Sequence, residues 1–597
     1  MLKIKLTVMK NQFLLLFFFI CSNVFSQKPT EQYTIDSASI EQVGVPKGEI
    51  LKFTYNNSKI FPGTTREVSI YIPKQYQGDK PACVYVNQDG IQWNAPTVFD
   101  NLIFKNEIPI TIGIFITSGR VQPENAETAL DRFNRSFEYD GLGNNYSKFL
   151  LEEIFPEVEK MKTTGGKEIK LSKSGNDRAI GGSSSGAVCA FTVAWENPNE
   201  FSKVFSAIGT YVSLRGADRY PGLIRKYEPK PLRIFLQDGS NDLNIYGGDW
   251  WKANESMERA LQFSGYEVNH VWGEDGHNGK QGNAIFPQAM RWLWKDYPKS
   301  VGKGKTKNTY LNDILTENVD WELVSEGHTF TEGIIANAQG EVFFQDIPKA
   351  KTYKVTLDGK VQLLPIDSKC ASGTTFSDSD QMITITSGWG CDVKQIISYD
   401  KDLKSKILVD SLVGNDIIIS KKGNIYVTQP DGREKPSKIF LIKPNGEKSI
   451  VDEGIKFANG LCLSPDQTQM YVTESASHWV WVFQIKPDGK LINKQKFGWL
   501  HVLDSDENAW SDGIKCDTAG RIYVATLSGI QVLDQLGRVN AIIPVPKTKG
   551  QVSNLCFGGS GFDTLYVTCV NKVFKRKVKV RGANTFDKPN KPTPSRL

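Results

Sequence analysis

The sequence has no strong excess of charge of either sign. Its 597 residues include 72 Lys and Arg against 66 Asp and Glu, which gives a net charge of +6. An excess this small and this dispersed excludes the electrostatic footprint of a nucleic-acid-binding protein. The hydrophobic content of 40% is that of a globular chain, which excludes wholesale disorder and a coiled coil. At roughly 150 residues per domain, the length predicts two to four domains.

Long hydrophobic runs are also lacking, except near the N-terminus. Residues 1–10 are basic, residues 13–20 are apolar, and Ser26 is a small residue suited to a cleavage site. This pattern is typical of a secretory signal peptide, here residues 1–26, and the apolar run is too short for a membrane anchor. A lipoprotein anchored at Cys21 is the less favoured alternative, because bulky residues precede that cysteine. The sequence predicts export, to the periplasm or the medium, with no transmembrane segment.

Cysteine pairs of the Cys-x-x-Cys type do not occur among the nine cysteines. Four cysteines lie in apolar or small-residue strand settings, where buried thiols are expected rather than disulfides; they are Cys462, Cys516, Cys556 and Cys569. Cys370 and Cys391 flank a loop that a disulfide could bridge, and the sequence leaves that pairing open.

A basic stretch with two glycines, residues 299–309, has the composition of a linker. Before it, β-type runs alternate with helical patterns, which predicts an α/β sheet covered on both faces over residues 27–298. After it, short strands separated by Asp-Gly, Asn-Gly and Pro-Asp turns extend over residues 310–580. The Pro-rich stretch 581–597 is predicted to be disordered.

The second half contains six copies of one unit, each starting with a polar residue before an apolar run. The starting residues are Glu332, Ser372, Asn415, Asn459, Asp512 and Asn554, with the copy at Ser372 the weakest. Successive starts are 40, 43, 44, 53 and 42 residues apart, a period that suits four-stranded propeller blades. We predict a six-bladed β-propeller, and a flat antiparallel sandwich is the alternative.

The first half contains a Gly-x-Ser-x-Gly sequence at residues 182–186. A strand-like run precedes it and a helical run follows it, which is the context of a nucleophile elbow. The tight turn requires tiny flanking residues, and the helix N-terminus favours a developing negative charge. We predict Ser184 to be the nucleophile; a Gly- and Ser-rich loop is the alternative.

Histidine is scarce, and of the five in the chain only His270 and His277 lie in the first half. His270 falls within a strand-like run, where a structural role is expected. His277 lies in the loop after that strand, where the base of an α/β-hydrolase belongs. Asp238 and Asp242 follow the preceding strand, and we prefer Asp242 as the orienting acid. The chain order Ser184, Asp242, His277 is that of an α/β-hydrolase.

Further motifs accompany this triad between residues 45 and 297. They are Gly44-Val-Pro-Lys-Gly48, Arg66-Glu-Val-Ser-Ile-Tyr-Ile-Pro73, Asp89-Gly90, Arg135-Ser-Phe-Glu-Tyr139, Glu153-Ile-Phe-Pro156 and Gly276-His277. Through them the region resembles the esterase family that includes ferric-enterobactin esterases, esterase D and feruloyl or acetyl-xylan esterases. The resemblance implies ester hydrolysis through an acyl-enzyme, without a cofactor. It also implies an oxyanion hole made by the backbone N–H groups of Ser185 and of Asp89 or Gly90, with Gly90 preferred.

The starting residues of the six repeats should converge, because the innermost strand of each propeller blade runs along the central channel. Two carboxylates and several amides at one place favour a bound cation, and an all-oxygen set favours Ca²⁺, with Mg²⁺ or Mn²⁺ as alternatives. The predicted ligands are Glu332, Asn415, Asn459 and Asp512. The other interpretation is that these Asn-Gly and Asp-Gly pairs are turn residues only.

Residues 310–575 resemble the gluconolactonase (senescence-marker-like, luciferin-regenerating) propeller family in these same motifs, together with Leu463-Ser-Pro-Asp466 and Phe557-Gly-Gly559. The resemblance implies that Glu332, Asn459 and Asp512 hold the metal and that Asn415 lies beside it. It also implies that Asp512 serves as general base for a lactone hydrolysis that the metal assists. Val413 stands where sugar-lactone enzymes often have Arg.

The leading hypothesis is an exported serine esterase, acting on acylated carbohydrate or plant-derived esters, fused to a metal-dependent lactonase-like propeller. The main alternative keeps the esterase and makes the propeller a metal-braced module that binds carbohydrate or a partner. A third hypothesis, siderophore-ester hydrolysis, follows from the enterobactin-esterase resemblance. All three predict a small-molecule or oligosaccharide ester as the partner.

Overall fold

The computed structural model describes residues 31–432, 435–546, 548 and 550–595, so the predicted signal peptide lies outside the described residues. The first domain is built on an eight-stranded sheet. Its strands are β1 Glu49–Tyr55, β2 Arg66–Ile72, β3 Cys83–Gln88, β4 Thr111–Ile116, β5 Arg178–Ser183, β6 Lys203–Ala207, β7 Arg233–Gly239 and β8 Glu267–Gly273. Their spatial order is β1-β2-β4-β3-β5-β6-β7-β8. The strands from β4 to β8 are parallel, and β2 pairs antiparallel with β1 and with β4.

Helices cover both faces of this sheet. They are α1 Ala95–Phe104, α2 Arg135–Tyr139, α3 Asn145–Lys148, α4 Phe155–Lys160, α5 Ser185–Glu196, α6 Tyr220–Lys226, α7 Trp250–Phe263 and α8 Lys280–Leu293. A ninth helix, α9 Thr309–Ile314, packs against the second domain instead. A π-helical stretch, Phe149–Ile154, joins α3 to α4.

Alternating residues of the central strands serve the two faces. In β3, Tyr85 packs with residues of α1 and α8, whereas Val84 and Val86 pack on the opposite side with residues of α5 and α7. A strand buried on both faces reads as a continuous apolar run, as the sequence does here. The predicted α/β-hydrolase domain is confirmed.

The second domain consists of six four-stranded sheets arranged as a propeller. Blade 1 contains Thr331–Ala336, Val342–Asp346, Lys351–Val355 and Val361–Leu363; blade 2 contains Ala371–Phe376, Met382–Thr386, Gln395–Tyr399 and Ser405–Asp410; blade 3 contains Ile417–Ile419, Ile425–Gln429, Pro436–Ile442 and Lys448–Lys456. Blade 4 contains Ala458–Leu463, Gln469–Glu474, Trp479–Ile485 and Leu491–Trp499; blade 5 contains Ile514–Cys516, Ile522–Thr526, Gly529–Leu533 and Val539–Ile543; blade 6 contains Asn554–Gly558, Thr564–Cys569, Lys572–Lys577 and the outer strand Glu322–Glu326.

The strand Glu322–Glu326 closes the ring, because it precedes blade 1 in the chain yet pairs with the last strand of blade 6. Each of the six predicted repeats forms one blade, including the weak copy that begins at Ser372. The six-bladed propeller is therefore confirmed, and the sandwich alternative is wrong.

The linker lies against both domains rather than hanging free between them. Asn308 caps α9 and donates from Nδ2 to the carbonyl oxygens of Arg225 in the first domain (2.9 Å) and Asn540 in the second (2.8 Å). Nearby, Arg576 of blade 6 makes two hydrogen bonds to Glu228, at 2.7 and 2.9 Å. One hydrophobic cluster contains residues of both domains.

The C-terminal stretch, predicted to be disordered, is ordered over residues 581–595 and is packed against the propeller. Its hydrogen bonds reach positions at or just beyond the ends of inner strands. Gly582 donates to Phe562 O (2.9 Å), Ala583 to Cys516 O (2.9 Å) and Asn590 to Pro465 O (3.0 Å). These acceptors belong to three different blades, so the segment crosses the end of the channel opposite to the starts of the inner strands. The prediction of disorder rested on composition alone. Composition does not show that the backbone of this segment can hydrogen-bond to the surface of the propeller.

The cysteine expectations are confirmed and completed. Cys370 and Cys391, left open by the sequence, form a disulfide. The other six described cysteines are buried thiols, including the four predicted ones. Of the helices that the structure describes, none combines the length and the apolar character needed to cross a bilayer.

Candidate functional sites

Ser184 occupies a strained turn between β5 and α5. Its backbone has φ 60° and ψ −124°, a conformation that residues other than glycine rarely adopt. A Cβ atom at Gly182 would lie 2.3 Å from Gly186 C, so the turn excludes any larger residue there. The strand therefore delivers the serine hydroxyl above the sheet edge, as a nucleophile elbow requires.

The structure brings the three predicted triad residues together. His277 Nε2 lies 2.9 Å from Ser184 Oγ, and His277 Nδ1 lies 2.6 Å from Asp242 Oδ1. The Asp242 side chain is fully buried, whereas the His277 side chain is 21% exposed. The arrangement matches a nucleophile, a base and an orienting acid.

The other candidate acid, Asp238, does not contact His277 in the described hydrogen bonds. Its carboxylate accepts from Gly239 N and from Asn254 Nδ2, both at 2.8 Å. Burial, reinforced by the neighbouring Asp242, raises the pKa of Asp238 to about 9. Burial alone would also raise the pKa of Asp242, but hydrogen bonds, the first of them from His277, hold it below its ordinary value. These opposite shifts favour ionisation of Asp242 and protonation of Asp238.

The predicted oxyanion donors fare differently. Ser185 is the first residue of α5, where a backbone N–H has no partner within the helix. Gly90, however, donates to Ile116 O at 3.1 Å, because its turn prolongs the pairing of the adjacent strand. The Gly90 prediction is therefore wrong. Of the two predicted oxyanion donors, the Ser185 N–H is therefore the one that the structure leaves available.

An ion pair that the sequence did not assign holds this loop. Arg135 Nε and Nη2 donate to the two carboxylate oxygens of Asp89, at 3.0 and 2.8 Å. Asp89 has φ 61°, and its N–H lies 3.4 Å from Tyr139 Oη. The motifs Asp89-Gly90 and Arg135–Tyr139 thus form one unit, which their separation in the chain concealed.

The four predicted metal ligands line one cavity in the propeller, with a volume of about 400 Å³. These residues are Glu332, Asn415, Asn459 and Asp512. Each lies in, or up to two residues before, the inner strand of its blade, which is why they converge on the axis. Ser372 lines the same cavity, and Asn554 instead donates to Glu332 Oε2 at 2.8 Å.

Two buried carboxyl groups dominate the electrostatics of this cavity. Burial raises the pKa of Glu332 to about 7. Burial, followed by repulsion from Glu332 and Asp416, raises the pKa of Asp512 well above its ordinary value. A bound cation relieves both effects, since it compensates negative charge that the protein alone leaves unpaired.

The donor chemistry of the cavity fits a hard divalent cation. Asn459 Oδ1 is buried and has no hydrogen-bond partner among the described residues, so it is an acceptor available to a metal. Two carboxylates and an amide oxygen are ligands that Ca²⁺ and Mg²⁺ accept. Within the described ranges, no three His, Cys, Asp or Glu side chains gather as a metal site. A cation in this cavity would therefore need the amide oxygen of Asn459 in addition to the two carboxylates.

Sequence reasoning missed two charged residues beneath the cavity. Asp416 is buried, and burial raises its pKa. Lys515 follows Asp512 by three residues, and its charge acts on both Asp416 and Glu332. The adjacency of Asp416 to Asn415 was visible in the sequence, but nothing there distinguished it from a turn aspartate.

Aromatic side chains line the cavity beside its polar residues. They are Phe330, Trp389, Phe457 and Trp510. Trp389 belongs to the loop closed by the disulfide, is 53% exposed, and lies edge-on to Phe330 with ring centroids 5.4 Å apart. No Lys or Arg of the described chain lines the cavity, and Val413 is among its lining residues.

Comparison with known families agrees with the two-domain description. The family model described as "Putative esterase" matches residues 58–311, and the model described as "SMP-30/Gluconolactonase/LRE-like region" matches residues 330–571. The chain is therefore an esterase-family domain fused to a gluconolactonase-like propeller.

Individual relatives match one half each. A gluconolactonase of Zymomonas mobilis is 26% identical over 324 residues, covering 47% of this chain and 88% of that protein. A pentonolactonase of Haloferax volcanii is 21% identical over 234 residues, covering 38% of this chain and 76% of that protein. Among solved structures, the enterobactin esterase of Shigella flexneri aligns at 16% identity with a TM-score of 0.32, covering 42% of this chain and 61% of that one.

Proposed function

We propose that the protein is an exported serine ester hydrolase whose propeller carries a second, metal-dependent site for lactones. The observation that carries the first part is the continuous contact from Ser184 Oγ to His277 Nε2 at 2.9 Å and from His277 Nδ1 to Asp242 Oδ1 at 2.6 Å. Export rests on the basic and apolar N-terminal pattern of residues 1–26.

The geometry supports hydrolysis in two steps through an acyl-enzyme. His277 Nε2 accepts the Ser184 proton as Oγ attacks the ester carbonyl, and Asp242 stabilises the imidazolium that forms. The negative charge on the former carbonyl oxygen faces the N-terminus of α5 and the Ser185 N–H. His277 then protonates the leaving alcohol, and a water molecule attacks the acyl group with His277 again as base.

For the substrate we propose acylated carbohydrate or plant-derived esters. The support is the fusion itself, because the propeller's relatives are named for lactones of sugar acids. An enzyme that removes acyl groups from sugars and one that opens sugar lactones act on the same class of molecule. A siderophore ester is the further alternative, and it is suggested by the name of one structural relative.

Ser184→Ala tests the esterase proposal directly. The variant is expected to lose hydrolysis of p-nitrophenyl acetate and of acetylated xylo-oligosaccharides by at least about 10⁴-fold, because the nucleophile is absent. Ser183→Ala, in the preceding position, is the matched control and should keep activity within about threefold. Full activity in Ser184→Ala would disprove the assignment.

In the propeller, Glu332, Asn459 and Asp512 would hold a divalent cation, with Asn415 beside it. Such an ion would act as a Lewis acid on a lactone carbonyl. Asp512, whose pKa burial raises, is placed to hold and move a proton. The aromatic lining, whose described residues include no Lys or Arg, favours a ring that binds by stacking on Trp389 or Trp510.

The alternative for the propeller is a binding module braced by the same metal. Asp512→Asn distinguishes the two, with ester hydrolysis at Ser184 as an internal control of folding. A lactonase predicts loss of turnover on a panel of uncharged aldonolactones while ester hydrolysis persists. Unchanged turnover on every lactone that the wild type opens would favour the binding module.

A further inference from the structure

We propose that Thr210 and Asp238 are positioning residues that fix the direction of the hydrogen bonds at the two ends of the Ser184–His277–Asp242 triad, and that helix α7 holds them both. The proposal rests on the proposed ester hydrolysis at Ser184. Neither residue belongs to the three-residue triad, and each lies one contact beyond it.

Thr210 lies at the serine end. Its Oγ1 is 3.0 Å from Ser184 Oγ and 3.1 Å from Trp250 Nε1. An indole N–H can only donate, so Thr210 accepts from Trp250. The hydroxyl hydrogen of Thr210 is then free to point at Ser184 Oγ, and Thr210 donates to the nucleophile.

The contacts of Asp242, at the other end of the triad, independently give the same direction for the hydrogen bond between Thr210 and Ser184. The Asp242 carboxylate can only accept, so His277 carries its hydrogen on Nδ1, and the unprotonated Nε2 accepts from Ser184. Ser184 has one hydroxyl hydrogen and donates it to His277. In the contact between the Ser184 and Thr210 hydroxyls, Thr210 must therefore be the donor. The donors therefore form one unidirectional row from Trp250 through Thr210, Ser184 and His277 to Asp242.

Asp238 lies beyond the other end of the row. Asp242 Oδ1 accepts from both His277 Nδ1 and Leu243 N, each at 2.6 Å. Asp242 Oδ2 is buried and has no partner among the described hydrogen bonds. The Asp238 carboxyl is the neighbouring acid that acts on Asp242, and it is 0% exposed. A proton on Asp238 supplies the donor that Asp242 Oδ2 otherwise lacks.

The protonation of Asp238 follows from its surroundings. Burial and the adjacent Asp242 carboxylate raise its pKa to about 9, so it carries a proton at neutral pH. The titratable groups near it are Asp242 in the loop that follows β7 and His277 beyond Asp242. Helix α7 contributes the uncharged Asn254. Two adjacent buried carboxyl groups cannot both be ionised without a large cost.

Helix α7 contacts both ends of this row from one face. Trp250 and Asn254 are four residues apart, so their side chains point the same way. Trp250 donates to Thr210 at 3.1 Å, and Asn254 Nδ2 donates to Asp238 Oδ2 at 2.8 Å and to Gly209 O at 2.9 Å. Asn254 is 0% exposed and Trp250 3% exposed, which fixes both in place.

The functional consequence is a triad with a single hydrogen-bonding arrangement. Thr210 keeps the Ser184 hydrogen directed at His277, and it donates to the serine oxygen as that oxygen loses its proton. Asp238 leaves Asp242 with one negative charge and with both of its oxygens satisfied, so the carboxylate stays in position for His277.

The serine end is tested with Thr210→Val, which removes the hydroxyl and keeps the shape. We expect kcat for p-nitrophenyl acetate to fall about tenfold with KM changed less than twofold, and Trp250→Phe to change kcat in the same direction. Thr210→Ser, which restores the donor, should recover activity to within about threefold. The matched control is Thr192→Val, which removes a buried hydroxyl that bonds Tyr220 at 2.6 Å, away from the triad. If Thr210→Val lowers kcat no more than Thr192→Val does, the serine half of the proposal is wrong.

The acid end is tested through the pH profile. Wild-type kcat should fall above pH 9, because loss of the Asp238 proton places two carboxylates side by side. Asp238→Asn keeps an N–H donor that does not titrate, so its alkaline limb should move up by at least one pH unit. A wild type without that limb, or equal limbs in both proteins, would overturn the acid half. A wild type without an alkaline limb overturns the acid half even if the variant does not fold.

These outcomes are separate from the proposed function itself. Ser184→Ala reports whether the serine is the nucleophile at all. Suppose that Ser184→Ala is inactive, that Thr210→Val and Thr192→Val have equal kcat, and that Asp238→Asn has the wild-type pH profile. The proposed esterase activity is then supported and the two positioning roles are wrong. If Ser184→Ala is active, the proposed function falls first.

Discussion

At the scale of single residues, each functional side chain is held by partners that leave it one role. Asp238 lies near the end of β7 and Asp242 just after it, yet Asp242 is the partner of His277 and Asp238 is a fully buried acid. The difference arises from which elements surround each carboxyl group. Asp238 faces Asn254 of α7, whereas Asp242 extends toward the histidine loop.

Asp242→Asn should lower kcat for simple esters by about 10³- to 10⁴-fold. The amide would present a donor to His277 Nδ1 and so favour the tautomer in which Nε2 cannot accept the Ser184 proton. Asp275→Asn is the matched control, because Asp275 lies in the same loop as His277 but bonds the Gly276 N–H at 2.8 Å. Steady-state kinetics on both variants measure the effect. Similar losses in both would contradict a specific role for Asp242.

Asn459→Ala should abolish the stabilisation of the propeller by calcium. In the wild type, Ca²⁺ at 100 times its Kd is expected to raise the free energy of unfolding by about 2.7 kcal/mol. The variant lacks the buried Oδ1 that has no partner in the protein, so its melting temperature should hardly respond to Ca²⁺. Thermal melting and titration calorimetry measure this without any substrate. An unchanged calcium response would remove Asn459 from the ligand set.

The nature of both sites was predictable from residue types, but some of their partners were not. The elbow glycines, the single well-placed histidine and the repeated polar starts identified Ser184, His277 and the cavity residues. Gly90 was chosen wrongly, since spacing does not show that its N–H is committed to Ile116 O. Thr210 could not be found either, because a lone threonine after a strand has no motif and gains meaning only from Trp250 beside it.

At the scale of elements, sequence periodicity predicted the elements that occur in repeated or alternating copies. It did not predict elements that occur only once. The period of the inner strands predicted six blades, all of which the structure contains. The outer strand Glu322–Glu326 precedes the first repeat and has no sequence counterpart, so the closure of the ring was not predictable. The same holds for α9, which begins at the last residue of the predicted linker.

The disulfide loop that carries Trp389 should matter for both stability and binding. Replacing Cys370 and Cys391 by Ser is expected to lower the free energy of unfolding by about 3 kcal/mol, given the 21-residue separation. It should also weaken ligand binding in the propeller cavity, because Trp389 lines it. Denaturant unfolding and tryptophan fluorescence titration measure the two effects. Dithiothreitol should reproduce both in the wild type and neither in the variant; a stability unaffected by either treatment would contradict the prediction.

At the scale of the whole molecule, the two domains form one continuous packing unit. Tyr227 of the first domain pairs with Ile542 of blade 5, and Glu228 N donates to Ile542 O at 2.9 Å. An apolar strand such as Val539–Ile543 is expected in the core of a blade, so nothing in its sequence predicted a contact with the first domain. Only the boundary between the domains, and not their docking, was accessible from composition.

Arg576→Met should uncouple the domains. The Arg576 side chain is 3% exposed and its partner Glu228 12% exposed, and removing one partner of a buried ion pair costs about 3 to 5 kcal/mol. Scanning calorimetry should then show two separated transitions in place of one. Lys305→Met is the control, because its pair with Glu317 is exposed at both ends (83% and 68%) and is worth about 0 to 1 kcal/mol. A single, unshifted transition in Arg576→Met would show that the pair does not join the domains.

The C-terminal segment covers the end of the propeller channel that lies opposite to the cavity. Thr585 and Ala583 hydrogen-bond backbone carbonyls of blades 2 and 5 there, at 3.3 and 2.9 Å. A ligand of the cavity is therefore expected to enter and leave on the opposite side, beside Trp389 and Trp510.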